Sequence, residues 1–269
     1  MRLSEARVVL TGASGGIGLA IATALCASGA RVLAVARHRE PLVPLLERYP
    51  QQLSWVGADL TFLTDRRKVL AAAEGIGGLN LLINAAGINH FAMLEQLDDS
   101  DINAMLAVNV SAPICLTRLL LPLLKQAESA MVVNVGSTYG SIGYPGYASY
   151  CATKFALRGF SEALRRELAD TRVGVLYVAP RATRTSMNSA AAQALNVALK
   201  SNVDDPQKVA SAVMHAIAGD HRDLYLGWPE RFFVGLNSLL PNLVDRGLRK
   251  QLPLIRRLSQ KPDNENFKP

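Results

Sequence analysis

Seven short runs of apolar, mostly β-branched residues recur along this chain, separated by longer stretches of helical period. The runs fall at 6–10, 31–36, 53–58, 79–83, 131–135, 173–178 and 223–226. They are apolar almost throughout rather than at alternate positions, so the sheet they build must be covered on both faces. Segments of helical period near 17–27, 41–48, 65–73, 100–125, 148–169 and 206–218 supply the covering layers. Strand and helix in strict alternation imply an α/β fold with a doubly wound parallel sheet. No Gly/Pro/Ser-rich linker or repeat divides the chain before residue 227, so residues 1–228 are expected to be one domain. An Ala-rich, weakly amphipathic stretch gives a lid near 185–203. Residues 229–269 form a C-terminal helical extension and tail, of which 262–269 are polar and expected to fray.

Composition narrows the functional classes. With 49% hydrophobic and 19% charged residues in 269, a disordered or low-complexity chain is excluded. Cys26, Cys115 and Cys151 are odd in number and widely spaced, which suits buried thiols in a reducing compartment rather than disulfides. Residues 1–7 lead into an apolar strand without a basic-then-apolar leader, so a cytoplasmic protein is expected. No unbroken apolar stretch reaches the roughly 18 residues of a spanning helix. The net charge of +7 raises the question of nucleic acid. Between residues 231 and 261, however, seven cations and one acid contribute +6 of it. The body is nearly neutral, so no nucleic-acid partner is expected. No His, Cys and acid cluster has metal spacing, and no metal is expected.

The first strand runs directly into Thr11-Gly12-Ala13-Ser14-Gly15-Gly16-Ile17-Gly18, followed by residues of helical period. Glycines let the backbone turn sharply and approach a pyrophosphate, and a helix N-terminus offers free N–H groups and positive dipole. Strand, glycines, then helix is the Rossmann-type arrangement for a dinucleotide. No Gly-Lys-Ser/Thr closes the run, which excludes a phosphate loop of the NTPase kind. An NAD site needs an acid at the end of the second strand. That strand ends Ala36-Arg37-His38-Arg39, with no carboxylate before Glu40. Arg37 offers fork-shaped donors to a 2′-phosphate and Ser14 is its helper, so NADP(H) is preferred over NAD(H).

With these elements in order, the chain resembles the short-chain dehydrogenase/reductase family, in its classical branch, over roughly residues 5–227. Thr11-Gly12-x-x-x-Gly16-x-Gly18 is similar to the family's cofactor loop, and Asp59-Leu60 to the pair that meets the adenine. Asn84-Ala85-Ala86-Gly87 is similar to the motif that ends the fourth strand, with Asn84, Ala85 and Gly87 counted toward the cofactor site. Asn109, Ser137, Tyr150 and Lys154 follow the order of the catalytic tetrad. A Tyr-x-x-x-Lys pair with a serine thirteen residues earlier arises by chance in ~0.01 chains of this composition.

The chemistry requires these residue types. Tyr150 and Lys154, four apart on one helix, share a face. A phenol of pKa ~10 exchanges protons poorly at neutral pH, and a neighbouring ammonium stabilises its anion. Tyr150 is therefore the expected general acid in carbonyl reduction and the base in the reverse. Ser137 is expected to hydrogen-bond the substrate oxygen. The resemblance implies that Lys154 also holds the nicotinamide ribose and that Asn109 supports a relay water, although a helix-packing amide explains Asn109 equally well. It also implies that Pro180 and Thr185 meet the cofactor, and that the protein is a homodimer or homotetramer.

One departure stands out. Where the family has Pro-Gly, this chain has Pro180-Arg181. A glycine-like φ at Arg181 would be strained, so the loop is expected to take another path or to aim a cation at an acidic substrate group or the lid. His90, Phe91, Thr138 and Tyr144 are further cleft candidates, and Tyr139 and Tyr147 line the cleft or pack the loop. Beyond residue 229, apolar residues at spacings of three and four alternate with cations, and Pro241 and Pro253 should each break or restart the helix. That segment packs over the cleft or touches a membrane surface through 229–261. The expected activity is NADP(H)-dependent interconversion of a ketone and a secondary alcohol on a small, lipophilic substrate. The alternative is a non-catalytic NADP(H)-binding sensor or scaffold on the same fold.

Overall fold

The structure is a computed structural model that describes residues 1–260. The expected fraying of 262–269 lies outside the described residues. Seven parallel strands form one sheet in the order β3-β2-β1-β4-β5-β6-β7. They are β1 Arg7–Thr11, β2 Arg31–Ala36, β3 Leu53–Gly57, β4 Leu81–Asn84, β5 Ala130–Val135, β6 Val173–Ala179 and β7 Asp223–Tyr225. The order reverses between β1 and β4, and a crevice opens there beyond the strand C-termini.

The helices are α1 Gly16–Ala27, α2 Val43–Arg48, α3 Leu63–Gly75, α4 Asp99–Leu106, α5 Ala112–Gln126, α6 Ala148–Glu167, α7 Ala190–Ala198, α8 Pro206–Ala218, α9 Glu230–Leu239 and α10 Pro241–Ser259. Alternate strand residues point to opposite faces. Val8, Leu10, Ala34, Leu81 and Ile83 pack beneath α1 and α8, through Ile21, Leu25, Val213 and Ile217. Val9, Leu33, Leu82 and Val132 pack on the other face beneath α3, α5 and α6, through Val69, Leu116, Leu120 and Leu164. This two-sided burial is why the strands are apolar throughout. A third cluster, of Phe91, Met105, Tyr147, Tyr150, Cys151, Leu195, Ile255 and Leu258, joins α6, α7 and α10 beyond the sheet.

Three local expectations change. The helix expected over 100–125 is α4 and α5 joined by a π-turn at Ala107–Ser111, where the Ala112 N–H reaches back to the carbonyl of Ala107. The joined run Asp99–Gln126 is long and apolar enough by length and composition to cross a membrane, which no unbroken apolar stretch announced; here Leu116, Leu120 and Leu124 pack against the sheet. Pro241 does start a new helix, but Pro253 lies inside α10 without ending it. Pro253 is exposed, so the Arg249 carbonyl that loses its N–H partner can turn to water instead.

Candidate active site

The crevice is built where β1 and β4 end side by side. Gly12 has φ 65°, and a Cβ there would stand 2.7 Å from the Ala86 backbone. A Cβ on Gly18 would overlap the Gly12 carbonyl oxygen, so neither position admits a side chain. Thr11 fastens the two strand ends together: its Oγ1 accepts the N–H groups of Ala85 and Ala86, both at 3.1 Å. Gly15 caps α1 without a side-chain bond, which leaves first-turn N–H groups available. Gly12, Gly15, Gly16, Ile17 and Gly18 line one cavity of about 620 Å³ with Ala85, Gly87, Ser137, Tyr150 and Lys154.

Pro180 and Thr185 line the same cavity, whereas Ser14, Arg37, Asp59, Leu60 and Asn84 do not form its wall. Arg37 is exposed past the end of β2 and makes no ion pair among the described residues. Ser14 is half-buried in the glycine turn. Asp59 caps its own turn, accepting from the Thr61 N–H at 2.9 Å and hydroxyl at 2.7 Å, and Leu60 packs toward the α3 layer. Asn84 differs from the expectation. Its amide donates to Thr117 Oγ1 at 3.1 Å and Asn134 Oδ1 at 2.9 Å, inside the sheet, so only Ala85 and Gly87 of that motif reach the cavity.

Ser137 follows β5 and opens a short 3-10 turn, its Oγ accepting the Tyr139 N–H at 3.1 Å. Tyr177 on β6 secures the backbone of Ser137, donating to its carbonyl at 3.2 Å and accepting its N–H at 3.4 Å. Tyr150 and Lys154 share the buried face of α6. The Ser137 side chain hydrogen-bonds to Tyr150, and Lys154 Nζ lies 5.6 Å from the Tyr150 ring centre while donating to the Val135 carbonyl at 3.1 Å. Burial pushes the Tyr150 phenol well above its ordinary value of 10, with the Ser137 bond opposing. The same burial brings the Lys154 ammonium down to about 8. The direction is opposite to the lowering expected from a neighbouring ammonium: desolvation of the buried phenol outweighs the Ser137 hydrogen bond.

Asn109 sits in the π-turn, a feature frequent at functional sites. Its amide is fully used: Oδ1 accepts the Ile88 N–H at 2.9 Å, and Nδ2 donates to the Ile88 carbonyl at 2.8 Å and Thr153 Oγ1 at 3.0 Å. Thr153 in turn donates to the Tyr150 carbonyl at 2.8 Å. Asn109 thus ties the loop after β4 to the helix that carries Tyr150.

The substrate candidates divide. Thr138 and Tyr144 line the cavity, as do Tyr139, Tyr147 and Asn89. Tyr139 stacks on Tyr144 and packs against Tyr147, each at 5.1 Å. Phe91 is buried behind them, stacked on Tyr147 at 5.0 Å, and His90 is 3.6 Å from Asp101, so neither forms cavity wall. Arg181 lines the cavity, but its guanidinium is taken. It grips Asp204 through two bonds of 2.9 and 2.8 Å and Glu230 at 3.1 Å. Its φ is not positive: among described non-glycine residues only Lys200 and Asp220 have positive φ. The cation therefore holds the segment after α7 and the start of α9 together rather than facing substrate. Asp204 and Glu230 were missed in the sequence, as was Tyr177, because nothing local marks partners so distant along the chain.

The outer part of the cavity is apolar and comes from late elements: Leu195 and Leu199 at α7, Phe233 and Leu236 on α9, and Leu243, Val244 and Leu248 on α10. Gln251 of α10 accepts a hydrogen bond from the Tyr144 hydroxyl at 2.7 Å.

A strand–glycine–helix cradle opening on a half-buried serine and a buried tyrosine and lysine defines an oxidoreductase that works with a bound nucleotide. Comparison with known proteins agrees: the profile of the short chain dehydrogenase family matches residues 6–196, and the chain belongs to that family. It is 29% identical to the uncharacterized oxidoreductase YxnA of Bacillus subtilis, covering 93% of this chain and 73% of that one. It is also 29% identical to the 3-oxoacyl-[acyl-carrier-protein] reductase FabG of Vibrio harveyi, over 80% and 90% of the two chains. A short-chain dehydrogenase from Streptomyces avermitilis superposes with TM-score 0.79 at 30% identity, covering 94% of this chain and 99% of that one. One from Burkholderia cenocepacia, solved in complex with NADP, does so with TM-score 0.79 at 26% identity, covering 92% and 99%.

Proposed function

We propose that the protein is an NADP(H)-dependent carbonyl reductase acting on a lipophilic ketone. The observation that carries this reading is the single cavity shared by the glycine turn and by Ser137, Tyr150 and Lys154. The residues present suit the nucleotide: Gly12 and Gly18 make a tight turn in which a Cβ would strike the Ala86 backbone or the Gly12 carbonyl, and Arg37 makes no ion pair among the described residues. The glycine turn and the first turn of α1 would hold the pyrophosphate, Arg37 and Ser14 the 2′-phosphate, Lys154 the ribose, and the loop from Pro180 to Thr185 the nicotinamide end. When bound, NADPH supplies the hydride for the carbonyl carbon.

Tyr150 gives its proton to the carbonyl oxygen, and a phenol held in its neutral form by burial is in the correct state for that step. Ser137 donates a hydrogen bond to the same oxygen and so stabilises the charge that develops there. The Lys154 ammonium then offsets the tyrosinate left behind; with its pKa at about 8 it is mostly charged at neutral pH. Asn109 keeps Tyr150 in register through Thr153. The apolar residues of α7, α9 and α10 would receive the non-reacting part of the substrate. The similarity to the 3-oxoacyl-[acyl-carrier-protein] reductase FabG and to the Burkholderia cenocepacia dehydrogenase solved with NADP supports this reading.

The test is NADPH oxidation with a panel of ketones of increasing chain length, using wild type and Tyr150→Phe. Turnover with at least one long-chain ketone, lost in the variant while NADPH still binds, is expected. Equal turnover by both proteins would exclude Tyr150 as the acid, and wild-type activity confined to short polar ketones would exclude the lipophilic assignment.

A further inference from the structure

The helices that wall the cleft have a second face. Trp228, Phe232, Leu239, Leu240 and Leu243 are all more than half exposed, with Leu239 at 81% and Trp228 at 78%. Phe232 and Leu239 lie seven apart on α9 and therefore on one side of it, with exposed Gly235 between them. Exposed apolar side chains repeated from the start of α9 to the start of α10 are uncommon on a surface with no partner.

Next to it, α10 is divided lengthwise. Val244, Leu248, Gln251, Ile255 and Leu258 face the cavity and α7. Arg246, Arg249, Lys250, Pro253, Arg256 and Arg257, all exposed, recur at spacings of three and four and fall on the opposite side. With Arg231 these are six cations between residues 231 and 260 against one acid, Asp245. None of the six has an ion pair among the described residues.

We propose that this face docks the protein on an anionic lipid bilayer: the exposed side of α9 and the α9–α10 corner, through Phe232, Leu239 and Leu240, enter the headgroup region while the α10 cations meet lipid phosphates and carboxylates. The observations favour a bilayer over the other occupants. A two-fold interface with a second copy would set this cationic stripe against itself. Nucleic acid would satisfy the cations and leave the exposed leucines and aromatics in water. An interfacial helix pairs basic residues with aromatic and aliphatic ones at this depth. Docking stands independently of the proposed reaction; combined with it, the apolar cavity entrance at Phe233 and Leu243 would open where membrane-dissolved ketones reside.

The test is flotation of the full chain with vesicles of phosphatidylcholine alone or with about 30 mol% phosphatidylserine, at low and high salt. Binding to the anionic vesicles only, weakened by salt, is expected. Each cation near such a surface contributes about fivefold, so Arg246→Gln, Arg249→Gln and Lys250→Gln together should lower partitioning about a hundredfold. Phe232→Ser with Leu239→Ser should abolish it as well, and neither set touches the cavity wall. Circular dichroism and NADPH affinity, unchanged in both, separate lost docking from lost folding. No wild-type binding to anionic vesicles would overturn the proposal. So would binding to DNA in place of vesicles, or a serine double variant that converts an oligomer to a monomer.

Discussion

Replacing Lys154 with methionine should make the protein more stable while removing its activity. Lys154 is 5% exposed, and burial lowers its ammonium from 10.5 to about 8. The folded pKa lies below the unfolded one, so the folded chain binds fewer protons between those values. The cost of charging the buried amine is fully present below pH 8 and is relieved as pH rises toward 10.5. At ~1.36 kcal/mol per pH unit this cost is about 3 kcal/mol at neutral pH. Methionine fills a similar volume without a charge, but it forfeits the 3.1 Å bond to the Val135 carbonyl, worth ~1 kcal/mol. A net gain of about 2 kcal/mol follows, or roughly 4–8 °C in Tm for a domain of this size. Urea unfolding of nucleotide-free wild type and Lys154→Met, at pH 7 and again near pH 10, measures it. The variant should lead at pH 7 and the gap should shrink at the higher pH. A variant less stable than wild type at pH 7, or a gap that ignores pH, would refute the reasoning.

Arg37→Asp should exchange one nucleotide for the other, weakening NADPH about 10–100-fold in titrations and improving NADH, because charge-assisted bonds of about 1.5–3 kcal/mol are replaced by repulsion. Arg181→Gly, which restores the family pattern, leaves Asp204 and Glu230 without their cation; a loss of about 1–2 kcal/mol and faster amide exchange in α7 and the start of α9 are expected. Reduction measured as kcat/KM should fall as pH rises through about 8, where the free enzyme loses the Lys154 charge, and the fall should disappear in Lys154→Arg if that variant stays active. Gly18→Ala, whose methyl overlaps the Gly12 carbonyl, should abolish NADPH binding in fluorescence titrations.

The sheet, the glycine turn and the Ser137, Tyr150 and Lys154 set were legible because each is written in short-range spacing. Buried parallel strands show as unbroken apolar runs, and a four-residue step on a helix guarantees a shared face. What escaped depends on orientation or on contacts distant in sequence. Asn84 sits at the motif position, yet its amide turns into the sheet because Thr117 and Asn134 offer bonds there. Arg181 reads as a free cation until the fold brings Asp204 and Glu230 to it. The π-turn at Asn109 depends on one carbonyl pairing five residues on, which helical periodicity does not resolve. Pro253 reads as a helix breaker but stands on the solvent side, where its missing bond is tolerated.

The most direct measurement is isotope transfer. NADPH carrying deuterium at the reactive carbon is incubated with a reducible long-chain ketone and either wild type or Tyr150→Phe, and the alcohol is analysed by mass spectrometry. The account predicts deuterium on the carbinol carbon with wild type. It predicts a loss of about 10²–10⁴-fold in that rate with the variant, at nearly unchanged NADPH affinity. Label transferred at the same rate by both proteins, or no NADPH binding by wild type, would contradict it.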